Sequence, residues 1–181
     1  MNRKKILFTI LIFFLIGYAA ASSLCGEELR HSEYEVKAAF LYNVGKFVEW
    51  PKNGSENNAF LTLCVLGYDP FQEKLAALEG KTIKGKKIIV KRIAFVSEAK
   101  NCDILFISSS EKTRISQIVK ELANQPILTV GDTDSFAEKG VMINFYIEND
   151  RIKFTINTKA AERSDVKIHS NLLRLAKIVS R

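Results

Sequence analysis

Short apolar runs alternate with helical segments along this chain, and that alternation restricts the folds open to it. Six runs have the length and residue types of β-strands, at residues 60–66, 87–93, 103–107, 127–130, 141–147 and 151–157. Strands separated by helices need crossover connections, which favour a mostly parallel sheet. The last two runs flank a short polar turn and predict an antiparallel hairpin at the C-terminal edge. We therefore predict one three-layer α/β domain with helices on both faces of the sheet.

The segments outside these strands predict five helices. In the first, residues 33–49, apolar residues recur at helical spacing at Val36, Phe40, Val44 and Phe47, with Leu41 and Val48 widening the stripe. The other helices are expected at residues 70–79, 111–123, 135–138 and 171–179. Because the first stripe is broad and aromatic, we expect the sheet, a partner, or both to cover it.

The first 21 residues have the features of a secretory signal peptide. A basic start at residues 3–5 precedes an apolar run at residues 6–16 and three alanines at residues 19–21. The run is shorter than the roughly 20 residues of a membrane-spanning helix. We expect cleavage after Ala21, a flexible mature N-terminus at residues 22–32, a folded domain at residues 33–181 and a periplasmic location; an uncleaved anchor is the alternative. Cleavage would lower the net charge from +7 to about +4, which suits an acidic partner or an anionic membrane surface.

The chain has three cysteines, so at least one has no partner within the chain. Cys64 and Cys102 lie in or beside predicted strands, whereas Cys25 follows the expected cleavage site. In an oxidising compartment we expect a disulfide between Cys64 and Cys102, and two buried free thiols are the alternative. The absence of a Cys-x-x-Cys pattern argues against an oxidoreductase.

The residue pattern also argues against an enzyme. The two histidines, His31 and His169, lie far apart and lack neighbours at ligand spacing, so we expect no metal, no cofactor and no catalytic triad. A phosphate-binding glycine loop is absent from the sequence, and so is the basic stripe with interleaved aromatics that binds nucleic acid. One group of lysines predicts a solvated loop or, alternatively, a docking patch for an acidic surface: Lys81, Lys84, Lys86 and Lys87.

Polar residues follow three predicted strands, at the edge where open α/β sheets bind ligands. The candidate crevice residues are Asp69, Ser108, Asp132 and Asp134. Several of them also precede predicted helices, where a side-chain oxygen caps free N–H groups, so capping is the simpler interpretation. A periplasmic small-ligand-binding protein is accordingly the second functional hypothesis.

Five stretches of the sequence match a known family in order. They are residues 33–51, Cys64 to Gly67 with Asp69 to Phe71, Cys102 to Ser108, Leu128 to Asp132, and residues 152–176. Together they resemble the YfiR-like family over nearly the whole predicted domain. The resemblance implies a periplasmic α/β protein that forms a homodimer and carries a Cys64–Cys102 disulfide. The chain lacks the second cysteine pair that some members have near the hairpin, so redox switching through that pair is not expected.

The resemblance also implies a function. The best understood relatives are non-enzymatic regulators that bind the periplasmic sensor region of an inner-membrane diguanylate cyclase and repress it. Release by an outer-membrane lipoprotein then raises cyclic di-GMP and favours biofilm. A protein with this role would act by occupying a surface of its partner.

Two groups of residues are candidates for such a partner-binding surface. One is the aromatic set Tyr34, Phe40, Phe47 and Trp50. The other is the basic set near the C-terminus, Lys159, Arg163, Lys167 and His169. Core packing is the alternative for the first set, and an ordinary solvated face is the alternative for the second.

Overall fold

The structure is a computed structural model and describes residues 33–51 and 59–179. The predicted signal peptide, Cys25 and the whole of the predicted mature N-terminus lie outside the described residues. The helices are α1 (residues 33–46), α2 (Ile115–Glu121), α3 (Thr158–Arg163) and α4 (Ser170–Leu173), with 3-10 helices at Gln72–Leu78, Val96–Asn101 and Ser109–Glu111. The strands are β1 (Val48–Glu49), β2 (Phe60–Leu66), β3 (Thr82–Ile83), β4 (Lys86–Ile93), β5 (Ile104–Ile107), β6 (Leu128–Gly131), β7 (Ile143–Glu148), β8 (Arg151–Asn157), β9 (Lys167–Ile168) and β10 (Lys177–Val179).

Eight of these strands form one mixed sheet in the order β10-β8-β7-β6-β5-β2-β4-β3. Strands β4, β2, β5, β6 and β7 run parallel to one another. β7 and β8 form the predicted antiparallel hairpin, and β3 pairs antiparallel with β4. We call the side where β2, β5 and β6 end the carboxyl edge, and the side where they begin the amino edge. The strand order reverses between β2 and β5, since β4 lies on one side of β2 and β5 on the other.

Each face of the sheet has its own apolar core, which confirms the predicted α/β architecture. α1, α3 and the 3-10 helix Gln72–Leu78 cover one face, where Leu41, Phe71 and Phe106 are fully buried. α2 and the 3-10 helix Val96–Asn101 cover the other face. The central strands β2, β5 and β6 are buried on both faces, which explains their nearly continuous apolar sequences.

The prediction of a final helix at residues 171–179 is wrong. The chain leaves α4 after Leu173, and β10 then pairs in parallel with β8. Leu175 and Ile178 are 76% and 45% exposed, so the apolar residues here do not form one buried helical stripe. β10 instead supplies hydrogen-bond partners for β8, whose backbone groups would otherwise lie at a sheet edge.

The short helix predicted at residues 135–138 is also absent. Residues 134–140 form turns, and the N–H of Phe136 donates to the carbonyl of Thr133 at 3.1 Å. Ser135 has a φ of 66°, which lies outside the right-handed helical range.

α1 is present but shorter than predicted, and its buried face is rotated. It ends at residue 46, after which β1 replaces the last predicted turn. Leu41 and Val44 are buried as expected, whereas Val36 and Phe47 are 42% and 37% exposed. Lys37 is buried in their place. Because one residue of the buried face of α1 is charged, the apolar pattern alone did not locate that face correctly.

A two-stranded ribbon joins the beginning and the end of the domain. β1 pairs antiparallel with β9, so that Val48 lies opposite Ile168 and Glu49 lies opposite Lys167. This ribbon lies beside the amino edge of the main sheet, where its residues line a cleft.

Candidate functional site

Asp132, one of the predicted crevice residues, lies at the centre of a buried polar cluster at the carboxyl edge. The hydroxyl of Tyr34 donates to Asp132 Oδ2 at 2.8 Å, and Lys37 Nζ donates to the same oxygen at 2.7 Å. Glu33 forms a second ion pair with Lys37. The side chains of Lys37 and Asp132 are only 4% and 3% exposed, so each charge depends on the other for compensation. The cluster fixes the start of α1 to the end of β6.

Ser108 has the capping role that its position suggests, whereas Asp69 accepts from a backbone N–H just before the 3-10 helix Gln72–Leu78 and does not cap that helix. The N–H of Phe71 donates to Asp69 Oδ1 at 2.8 Å, and Arg92 Nε donates to Asp69 Oδ2 at 2.8 Å. Ser108 is buried, and its hydroxyl accepts from the N–H of Ser110. The fourth residue, Asp134, is exposed on a turn. A ligand-binding role for these residues stays a prediction.

Side chains of the protein itself fill the place where the strand order reverses. The N–H of Tyr68 donates to Ser110 Oγ at 3.0 Å. A Cβ atom on Gly67 would lie 2.4 Å from Ser110 Oγ and 2.8 Å from Glu111 Oε1, and Gly67 has a φ of +86°. Only glycine fits this crossing of β2 and the 3-10 helix Ser109–Glu111. The crevice between the ends of β2 and β5 is therefore packed.

Three residues of the predicted aromatic set are half-buried. The rings of Tyr34 and Phe40 pack edge-on against phenylalanines of the core. The indole N–H of Trp50 donates to the backbone carbonyl of Asp103 at 3.0 Å. Each of the three residues therefore contacts other parts of the domain. Partner binding by them stays a prediction.

Phe47, the fourth aromatic residue, links the two predicted partner-binding sets. Its ring lies 6.3 Å from the ring of His169, and the N–H of His169 donates to the carbonyl of Phe47 at 2.8 Å. Lys167 lies on β9 and His169 directly follows that strand, and both are exposed. We call Phe47, Lys167 and His169 the ribbon surface. Lys159 and Arg163 are exposed on α3.

A cleft of about 1240 Å³ opens at the amino edge, opposite the predicted crevice. Its walls come from the β1–β9 ribbon, the β3–β4 turn and the beginnings of β5 and β6. Apolar lining residues include Trp50, Pro51, Leu61, Ile83, Pro126 and Ile127, and charged ones are Glu49, Lys84, Lys86, Lys100, Asp103, Asp165 and Lys167. The residues that line this cleft come from distant segments of the chain, so no local sequence pattern predicts the site. The lysine group at residues 81–87 was the one signal that pointed to it.

Asp103 holds the floor of this cleft together. The N–H of Thr62 donates to Asp103 Oδ2 at 2.7 Å, and the N–H of Asp103 donates to the carbonyl of Thr62 at 2.9 Å. Burial raises the pKa of the Asp103 carboxyl above its ordinary value of 3.8, although the hydrogen bond from Thr62 and the charge of Lys86 oppose that shift. Ionised Asp103 therefore opposes folding slightly, because its proton is held more tightly in the folded chain than in the unfolded chain.

We expect Asp103→Asn to be more stable than the wild type at neutral pH and to lose that advantage on acidification. As the pH falls through the raised pKa towards 3.8, the wild-type carboxyl protonates and its unfavourable ionised form disappears. Urea unfolding of both proteins at several pH values between about 4 and 7 measures the difference. A difference that stays constant, or grows, as the pH falls would contradict this account.

The predicted disulfide is present between Cys64 and Cys102. Their Cα atoms are 5.9 Å apart, within the range of ordinary disulfides. Cys64 lies on β2, and Cys102 ends the 3-10 helix Val96–Asn101. The bridge lies in the apolar core beneath α2, which we call the second core, and Cys102 also lines the amino-edge cleft. It therefore fixes one wall of the cleft to the central strand.

A family model described as YfiR/HmsC-like matches residues 34–177. The chain belongs to the YfiR/HmsC-like family. The match covers α1, the whole main sheet up to the start of β10, the disulfide and the amino-edge cleft. Membership supports, at the level of the family, a periplasmic regulator of a diguanylate cyclase, and members of the family act as regulators and not as enzymes.

Two solved structures show distant similarity to this YfiR/HmsC-like chain. A conserved domain protein from Vibrio cholerae O1 biovar El Tor N16961 has a TM-score of 0.53 and 13% identity, and the match covers 80% of this chain and 59% of that one. The ABC domain from Streptococcus pneumonia in complex with L-Trp has a TM-score of 0.47 and 11% identity, over 66% of this chain and 55% of that one. This chain thus spans less than two thirds of each matched structure. The first similarity concerns the fold alone.

Within residues 33–51 and 59–179, the helices are too short or too polar to cross a membrane. The same ranges contain no cluster of three or more histidine, cysteine or acidic side chains arranged to hold a metal ion.

Proposed function

We propose that this protein is a periplasmic, non-enzymatic regulator that binds the periplasmic sensor region of an inner-membrane diguanylate cyclase and represses it. The match to the YfiR/HmsC-like family over residues 34–177 carries the proposal. Repression requires that the regulator bind the inactive state of the cyclase more tightly than the active state, because equal affinity would leave the equilibrium unchanged. Lower cyclic di-GMP is the expected result.

The ribbon surface is the contact region that we favour. Phe47 is an aromatic residue with 37% of its surface exposed, its ring lies 6.3 Å from that of the exposed His169, and the exposed Lys167 lies on the neighbouring strand β9. Aromatic side chains that project from a fixed backbone are typical anchors of protein interfaces. Lys159 and Arg163 of α3 would extend this surface, and Trp50 would border it in the amino-edge cleft, whereas Tyr34 and Phe40 pack elsewhere against the core.

The family resemblance supplies two further parts of the proposal. We infer that the protein is a homodimer and that an outer-membrane lipoprotein releases it from the cyclase. A small-ligand-binding role ranks below regulation because Ser110, Glu111, Lys37 and Tyr34 fill the carboxyl edge, where such a ligand was expected.

The proposal can be tested in membrane vesicles that contain a diguanylate cyclase with its periplasmic sensor region. We expect the protein purified from the envelope to bind that region and to lower synthesis of cyclic di-GMP. Phe47→Ala should weaken binding by about 2 kcal/mol, which is about thirtyfold in Kd, since an exposed aromatic anchor is lost.

Tyr68→Ala is the matched control for this experiment. Tyr68 is 67% exposed at the carboxyl edge, far from the ribbon surface, so its replacement should leave binding and repression unchanged. Equal losses in the two variants would refute the ribbon surface as the contact. A wild-type protein that neither binds the sensor region nor changes cyclic di-GMP synthesis would refute the regulator itself.

A further inference from the structure

The amino-edge cleft has the size and openness of a site for a polypeptide segment. Its volume of about 1240 Å³ exceeds the usual range of about 300 to 1,000 Å³ for small-molecule pockets. The ribbon surface borders it directly, because Lys167 belongs to both. A partner that contacts Phe47 could therefore continue into the cleft without a break.

Lysines dominate the rim of this cleft. Lys84 and Lys100 are exposed and Lys86 is half-buried, and all three line the cleft together with Lys167. Three acidic lining residues, Glu49, Asp103 and Asp165, offset three of the four lysine charges. Glu49 lies opposite Lys167 across the ribbon, and the carboxylate of Asp103 accepts a hydrogen bond from a backbone N–H.

The floor of the cleft is apolar and held in place by hydrogen bonds. The Trp50 indole is fixed by its hydrogen bond to the carbonyl of Asp103, and Lys84 Nζ donates to the carbonyl of Val48 at 2.8 Å. Pro51 and Pro126 line the cleft as well. A site whose walls are already fixed loses little conformational entropy when it binds an extended chain.

We propose that the amino-edge cleft binds an extended acidic segment of the partner's periplasmic region, with aspartate or glutamate side chains facing Lys84 and Lys100. This inference rests on the proposed function and names the chemistry of the partner. The apolar floor would take the backbone and small side chains of that segment, while the lysine rim selects its charge. The net charge of about +4 that is expected after cleavage of the leader agrees with an acidic partner.

The single tryptophan of the chain gives a direct readout, because Trp50 lines the cleft. The first experiment adds a hexaglutamate peptide, or a hexalysine peptide as the charge control, to protein purified from the envelope. We expect the glutamate peptide alone to change the Trp50 emission, with an affinity that falls as salt is added. Binding of both peptides, or of neither, would overturn the proposal.

Charge reversal locates the site. Lys84→Glu/Lys100→Glu should weaken hexaglutamate binding about tenfold, since two attractions become repulsions. The matched control, Lys112→Glu/Lys139→Glu, reverses two exposed lysines near the carboxyl edge and should change binding by less than about twofold. Equal losses in both variants would show a general charge effect and refute the cleft. If loss of the Lys84 hydrogen bond unfolds the double variant, Lys100→Glu alone should still weaken binding.

The cyclase-containing vesicles separate this inference from the proposed function. If the wild type represses the cyclase and the cleft variant represses less than the carboxyl-edge variant, the cleft is part of the contact. If the wild type and both variants repress equally, the regulator stands and the acidic-segment site is wrong. If residues 52–58 of the chain itself occupy the cleft, their replacement by a glycine-serine linker will increase hexaglutamate binding, and that result also overturns a partner segment as the occupant.

Discussion

Replacement of both Cys64 and Cys102 by alanine is expected to lower the free energy of unfolding by about 4 kcal/mol on the chain-entropy model. The bridge spans a sequence separation of 38 residues, and its loss frees that loop in the unfolded chain. Both cysteines are buried, so smaller side chains also remove packing in the second core. Urea unfolding of the variant and the wild type, each with Cys25→Ser to prevent thiol exchange, measures the loss.

Intact-mass measurement with and without reductant checks the starting state for this comparison. The wild type should gain two hydrogens on reduction, and peptides that contain Cys64 and Cys102 should account for them. An unchanged mass, or equal stability of the alanine variant and the oxidised wild type, would show that the bridge does not stabilise the fold.

Asp132→Ala is expected to cost about 3 kcal/mol of unfolding free energy, because it leaves the ammonium of Lys37 buried with less compensation. Because Glu33 keeps one ion pair with Lys37, we expect a loss of stability at the lower end of the range found when a buried ion pair is broken. Asp69→Ala is the matched control. It also removes an aspartate that binds a basic side chain, but Arg92 is 54% exposed, so a loss of about 1 kcal/mol is expected.

A second variant tests whether charge burial is the cause. Lys37→Met combined with Asp132→Asn removes both charges and keeps an amide oxygen that can accept from the hydroxyl of Tyr34. We expect this pair to recover more than half of the stability that Asp132→Ala loses. If the double variant is as unstable as the sum of its single changes, the two side chains act independently and the ion pair is not the reason.

The sheet could be predicted because its strands carry their own signal. Residues 60–66 and 103–107 are apolar on both faces, and only the centre of a parallel sheet buries both faces of a strand. The positions of Cys64 and Cys102 in or beside these strands then made their pairing predictable. The resemblance to the YfiR-like family agreed with both results.

The chain ends could not be predicted because their structure depends on distant partners. Residues 171–179 contain apolar residues at helical spacing, yet β10 forms because β8 offers it an unpaired edge. Lys37 does not belong to the apolar pattern of α1, and its ion pair with Asp132, 95 residues away, explains its burial. Local periodicity contains no information about such partners.

The dependence on distant partners also explains why the candidate site was predicted only in part. Asp69, Ser108 and Asp132 were placed correctly at one edge of the sheet, but α1 and Ser110 fill the space between them. The amino-edge cleft could not be derived, since it needs the β1–β9 ribbon, and that ribbon pairs Val48 with Ile168. A lysine group was visible in the sequence, whereas the apolar floor beneath it was not.

The pairing of β1 with β9 sets the order in which the molecule can assemble. Synthesis produces the N-terminus first, but α1 has its packing partners on strands that emerge later, and β9 is made about 120 residues after β1. Leu41 and Val44 must therefore stay exposed, or be held by a chaperone, until most of the polypeptide has emerged. A chain that stops before residue 167 would lack the closing strand, and proteases would be expected to remove it.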